Sequence, residues 1–198
     1  MSDTKENILL TSLALFARDG YKAVSVSMIA GELGITKGAL YKHYKNKRDI
    51  FEHIIARMEQ RDAEQASKFD LPEGTLADME EKYRAASAEQ IINFSKAQLD
   101  YWTQDGFACD FRRMLVLEQY RDKEMNLLYR QYLVTGPVGY VTDLLSSLGY
   151  AEPQSLALEL YAPMFYLYSV FDVSKDINET EQLAKLHFDK IHKKLIES

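Results

Sequence analysis

Between Val24 and Arg48 two short apolar patterns are joined by a glycine, and five residues of the stretch are Lys or Arg. From Thr36 to Arg48 there is no acidic residue. Lys37, Lys42, Lys45, Lys47 and Arg48 can therefore neutralise phosphates and release their counterions, which is the chemistry of nucleic-acid binding. Tyr41 and His43 add hydrogen-bond donors for phosphate oxygens, and the amides at Thr36 and Lys37 would open a helix toward an anion. Gly38 costs a helix about 1 kcal/mol relative to Ala, so its place here implies that backbone approaches something closely.

The elements that must carry these residues follow from local chemistry. Ser25 is an N-cap for a helix over about 26–33, whose Met28, Ile29, Ala30 and Leu33 supply the apolar positions. Gly34 follows the last of them, where a left-handed residue ends a helix without a Cβ penalty, and Ile35 tucks in behind. Thr36 caps the next helix. On it Leu40 and Tyr44 lie four apart on an inner face, while Gly38, Tyr41 and Lys42 point outward. Two helices joined by a glycine turn, the second one basic outside, make a helix-turn-helix.

In these residues the chain resembles the tetracycline-repressor (TetR) family of bacterial transcription regulators. The match begins with Ile8, Ala14, Leu15, Phe16 and the pair Gly20, Tyr21. It continues through Ile29, Ala30, the run from Gly34 to Tyr44, and Lys47 to Phe51. The resemblance implies phosphate contacts at Thr36, Tyr41, His43 and Lys47, and base contacts at Lys37, Gly38, Ala39 and Lys42. Two positions depart from the family pattern. Tyr44 stands where Phe is usual and brings a hydroxyl to the core, and Val26 stands where many members have a phosphate-binding Thr.

Charge is divided along the chain. The net charge is −6 over 198 residues, but residues 1–60 hold 9 Lys/Arg against 7 Asp/Glu and are net +2, leaving −8 for the rest. A basic head on an acidic body concentrates attraction for DNA at the head. The 46 % hydrophobic content is ample for a packed core. Few prolines and no strict two-residue alternation predict an all-α fold. Cys109 is the single cysteine, so no intrachain disulfide can form; it is expected as a small buried thiol in a cytoplasmic protein. Neither a signal peptide nor a run of about 18 apolar residues is present, so secretion and membrane spanning are not expected.

The division expected is a helix-turn-helix domain over 1–48 and a helical effector-binding and dimerisation domain over 49–198, joined by a connecting helix that Asn46 and Asp49 cap. That helix fades after Arg61, and a turn cluster spans 70–74. Further helices are read at about 75–86, 88–102, 110–121, 122–135, 137–148, 153–172 and 179–197, with breaks at Gln104 to Gly106, Gly136 with Pro137, Gly149 with Pro153, and 174–178. Pro163 predicts a kink. The helix over 153–172 is apolar nearly all round, and the last helix carries Ala184, Phe188, Ile191 and Leu195 at helical spacing. Two such helices from each of two copies would close a four-helix bundle, with Tyr161, Phe165, Tyr168, Ala184, Phe188, Ile191 and Leu195 at the dimer interface. An intrachain core is the other way to cover the same faces.

Aromatic residues crowd the middle helices and suit a pocket for a flat or hydrophobic small molecule, with Phe111, Leu115, Tyr132 and Phe165 as its candidate lining. Glu118 is either the partner of a cationic effector or a surface charge beside Arg112 and Arg113. Enzyme chemistry is not expected, since neither a phosphate-binding glycine loop nor a nucleophile elbow is present. The residues Asp189 and His192, with His187 nearby, make half of a helical metal site. Without a second half, neither metal nor cofactor is expected. The function expected is a homodimeric, ligand-responsive regulator, a repressor that binds an inverted-repeat operator in double-stranded DNA and is released by a small hydrophobic or aromatic effector. The rivals are a helical small-molecule-binding protein or enzyme with an incidental basic head, and a DNA-binding regulator without an effector.

Overall fold

The computed structural model describes residues 4–72, 74–174 and 177–196, with only the backbone of Ile177. The described residues form helices and no strand: α1 (Thr4–Asp19), α2 (Val26–Glu32), α3 (Lys37–Tyr41), α4 (Lys47–Lys68), α5 (Glu80–Ala85), α6 (Ala88–Gln104), α7 (Gly106–Glu118), α8 (Lys123–Tyr129), a π turn (Arg130–Val134), α9 (Thr135–Ser147), α10 (Pro153–Val173) and α11 (Ile177–Ile196). None of these helices is long and apolar enough to cross a membrane.

The chain divides into two compact units whose bounds differ from 1–48 and 49–198. The first runs to Arg61 and resumes over Asp105–Tyr129; the second comprises Asp62–Gln104 and Arg130–Ser198. The first unit is larger than a helix-turn-helix because α7 packs along α1. That packing sets Phe111, Met114 and Leu115 with Ile8, Leu9, Leu13 and Phe16 among the buried side chains. Charged pairs fasten the first half of α4 to the same unit. Arg57 meets Glu6 of α1 in a two-pronged pair, and Arg61 donates at 3.0 and 2.8 Å to Asp105, the residue before α7. Asp105 also accepts from Ala108 N at 3.0 Å and caps α7, so that helix starts four residues earlier than the expected 110. Cys109 lies in α7 and is buried.

In the second unit α10 packs on α9, α11 and α6. The imidazole of His187 shares a 2.8 Å hydrogen bond with the Leu160 carbonyl, Lys194 pairs with Glu159 at 2.7 Å, and the Tyr150 hydroxyl donates to the Leu195 carbonyl. Tyr83 and Tyr140 donate to the carbonyls of Gly74 and Pro72, both at 2.9 Å, and hold the turn cluster read from the sequence. Helix α10 runs unbroken through Pro163.

Gly136 and Pro137 do not break the chain. Helix runs continuously from Lys123 to Ser147, and the disturbance appears as the π turn just before them. Proline has no amide to give the carbonyl four residues back, which is that of Leu133. The buried Tyr161 hydroxyl supplies the missing donor at 3.0 Å. The wider turn also brings Gly136 so near Gln131 that a Cβ would lie 1.8 Å from its carbonyl oxygen. Gly136→Ala is therefore expected to cost about 1–3 kcal/mol through forced backbone rearrangement, read as a lowered urea midpoint. A midpoint equal to that of the wild type would show that the turn tolerates a side chain.

Candidate nucleic-acid interface

Both helix starts of the reading head are capped by the hydroxyls expected. Ser25 accepts from Met28 N at 3.3 Å and Thr36 from Ala39 N at 3.1 Å. Gly34 has φ 64°, the left-handed conformation that stops α2 and turns the chain into α3. Asn46 accepts from Asp49 N at 2.9 Å while Asp49 accepts from Lys45 N at 2.8 Å, so the loop after α3 and the first turn of α4 form one piece. Helix α3 is five residues long. Tyr44 lies just beyond its end, and both Leu40 and Tyr44 are buried. The additional hydroxyl of Tyr44 has a use: it donates to the Lys5 carbonyl at 3.1 Å and ties the end of the reading segment to the start of α1.

The outer face of the reading segment is open. Thr36, Lys37, Gly38, Tyr41, Lys42 and His43 are exposed and Ala39 is half-buried. The nearest atom to a Cβ added at Gly38 would be Thr36 Oγ1, at an ordinary 3.8 Å. Nothing among the described residues requires a glycine there. Lys37, Lys42 and Lys45 are exposed and without an ion-pair partner among the described residues.

Two of the five cations have partners within the first unit. Lys47 is half-buried; its Nζ donates at 2.8 Å to the carbonyls of both Tyr21 and Val24 and lies 4.4 Å from the centre of the Tyr21 ring. Burial lowers its pKa, an effect the charge of Glu118 opposes. This ammonium is a fastener between the α1–α2 turn and α4. The Tyr21 ring is itself gripped, with centroids 5.0 Å from those of Phe16 and Phe51. Arg48 is exposed but paired with Glu52 and Glu124. Of the five cations, the side chains of Lys37, Lys42 and Lys45 are those without an ion-pair or hydrogen-bond partner among the described residues.

Glu118 is not a surface charge. It is 1 % exposed. One oxygen faces the α1–α2 turn, 3.4 Å from Lys22 N and against Gly20, whose φ of 89° lets the backbone come close; the other has no hydrogen-bond partner among the described residues. Phe111 and Leu115 are fully buried in the same unit, on the helix that packs against α1. Tyr132 and Phe165 belong to the second unit, so the expected ligand set is split between units. Tyr132 there lies with its ring 6.5 Å from that of Trp102, and Phe165 6.4 Å from Tyr168.

The residues expected at a dimer interface are largely covered by their own chain. Tyr161, Tyr168, Phe188, Ile191 and Leu195 are buried, and Phe165 and Ala184 are half-buried. Helix α11 packs on α6 and α10, with Lys96 of α6 5.8 Å from the Phe188 ring centre. The apolar side chains left exposed on these helices are others: Leu158, Tyr166 and Val173 on α10, and Leu183, Leu186 and Ile196 on α11. Helical spacing revealed the apolar faces but not which body covers them.

A capped, glycine-turned pair of helices with an exposed basic second member defines a helix-turn-helix protein. Residues 8–54 match the family model described as bacterial regulatory proteins, tetR family. The similarity to that family thus lies in the N-terminal helices. Among curated proteins it is 49 % identical over 50 residues to the HTH-type transcriptional regulator YerO of Bacillus subtilis, a match covering 25 % of this chain and 17 % of YerO. It is 31 % identical over 114 residues to the HTH-type regulator AcrR of Shigella flexneri, covering 58 % of this chain and 46 % of AcrR. The matches thus span less than half the length of these relatives. Fold similarity extends further. A TetR-like regulator from Rhodococcus sp. RHA1 superposes with a TM-score of 0.65 at 18 % identity, over 100 % of this chain and 99 % of that one. A regulator from Saccharomonospora viridis, solved in complex with choline, gives 0.66 at 20 % identity, over 98 % and 97 %.

If Lys47 is a fastener, Lys47→Met is expected to destabilise the chain by about 1.5–3 kcal/mol, the range for hydrogen bonds to a charged group, and Tyr44→Phe by about 1 kcal/mol. Urea denaturation measures both. An unchanged midpoint in Lys47→Met would return the ammonium to a phosphate-binding role.

Proposed function

We propose that the chain is a homodimeric DNA-binding transcription regulator, a repressor that releases its operator when a small hydrophobic or aromatic effector binds the second unit. The observation that carries DNA binding is the open face of α3 and the loop after it, where Lys37, Lys42 and Lys45 are exposed and without an ion-pair partner among the described residues. Thr36, Tyr41 and His43 would meet phosphates, while Lys37, Gly38, Ala39 and Lys42 would meet base edges. A repressor role is supported by the likeness to the HTH-type transcriptional repressor BepR of Brucella suis, 38 % identical over 74 residues.

Dimerisation is supported by the apolar stripes that the second unit leaves open. Leu158, Tyr166 and Val173 are 56, 63 and 84 % exposed, and Leu186 on α11 is 71 % exposed. Ala162 and Ser169 continue the α10 stripe at helical spacing. Two copies of α10 and α11 would close a four-helix bundle over these positions, and the two heads would then read an inverted repeat. Effector binding is supported by the clustered rings of Tyr101, Trp102 and Tyr132 in the second unit. Of the residues expected to line the pocket, Tyr132 and Phe165 lie in this second unit.

Lys42→Ala and Tyr41→Phe are expected to weaken binding to DNA from upstream of the protein's own gene, with melting nearly unchanged, because neither side chain packs. Loss of the Lys42 charge should also flatten the dependence of log K on log salt, by about 0.9 per contact if it meets phosphate. Undiminished affinity in both variants would refute the interface. For assembly, Tyr166→Glu should yield folded monomers in sedimentation, whereas Phe188→Asp should unfold the chain by burying an unpaired charge. A monomeric wild type at micromolar concentration would contradict the dimer.

A further inference from the structure

The first turn of α4 carries a cation that belongs by position to the DNA-facing run but is held elsewhere. We propose that Glu124 withholds Arg48 from the DNA backbone, so that this ion pair sets operator affinity by keeping one phosphate contact per head in reserve. The proposal rests on the DNA-binding role above.

Arg48 closes the acid-free run that starts at Thr36, and the bond from Lys45 N to Asp49 fixes its turn of α4 to the loop after α3. All three of its guanidinium nitrogens are engaged. Nη1 and Nη2 grip the two carboxylate oxygens of Glu124, the second at 2.7 Å, and Nε donates to Glu52 at 2.9 Å. A phosphate would use the same planar fork, so carboxylate and phosphate compete for one set of donors. The pair is open to exchange, since the side chains of Arg48 and Glu124 are 48 and 46 % exposed. Two carboxylates on one guanidinium leave the cluster net negative beside the reading segment, opposite in sign to what DNA attracts.

Glu124 is placed by its surroundings. Asp122 accepts from the amides of Glu124 and Met125 at 3.0 and 3.3 Å and fixes the start of α8. Lys22 holds the same corner to the head through Asp122 at 3.4 Å and the Arg121 carbonyl at 2.7 Å. The acid that neutralises Arg48 is therefore built into the head unit, whereas Lys37, Lys42 and Lys45 have no such partner among the described residues.

The test measures binding against salt for the wild type, Glu124→Gln, Arg48→Ala and the double variant. The probes are a labelled duplex from upstream of the protein's own gene and a scrambled duplex. Both duplexes serve because phosphate contacts do not depend on sequence. Glu124→Gln alone is expected to tighten binding and steepen the salt slope by about 0.9 per head. In the Arg48→Ala background the same change should leave the slope where it was. An equal gain in both backgrounds would show simple removal of a repulsive charge and overturn the proposal, as would weaker or unchanged binding by Glu124→Gln. A wild type that binds neither duplex would fail the DNA-binding role itself, a result distinct from those outcomes.

Discussion

The reading head depends on how the first half of α4 is fastened. Four cations along one helix, Lys47, Arg48, Arg57 and Arg61, each reach a different part of the first unit: the α1–α2 turn, α8, the start of α1 and the residue capping α7. None of the exposed pairs is worth much energetically, about 0–1 kcal/mol each. Their value is geometric. A helix held at four places over four turns cannot rotate or slide without breaking directional bonds, and α3 is joined to its first turn by the Asn46 and Asp49 cap. The reading surface thus inherits its position from contacts on the far side of the unit.

This fastening makes α7 and α8 part of the head, although they lie about 50 residues beyond it in sequence. A corner contributed from so far along the chain brings acids to the head. Glu118 faces the α1–α2 turn, while Asp122 and Glu124 pair with Lys22 and Arg48. The head stays basic on the reading side because Asp122 and Glu124 meet cations away from it. Lys37, Lys42 and Lys45 keep their charge exposed, so attraction is confined to α3 and the loop that follows it.

What was legible in the sequence is what local chemistry decides. Ser25, Gly34, Thr36 and the Asn46 and Asp49 cap act within a few residues of themselves, so their roles could be read without the fold. The course of Gly136 and Pro137 could not, because the donor that replaces the missing proline amide is Tyr161, from another helix. The same holds for Lys47, whose carbonyl partners are 26 and 23 residues away, and for Glu118, which nothing in its neighbourhood marks as buried against the head. Helical periodicity found the apolar faces of α10 and α11. It could not distinguish Phe188, covered by its own chain, from Leu186, left open two positions earlier.

The central claim is that the exposed Lys37, Lys42 and Lys45 draw the reading segment to DNA while Lys47 and Arg48 are held within the first unit. The salt dependence of wild-type binding to duplex DNA from upstream of the protein's own gene tests it most directly. Such attraction predicts that log K falls as log salt rises, by about 0.9 for each phosphate that a lysine neutralises. A slope near zero, or no binding at low salt, would contradict the claim.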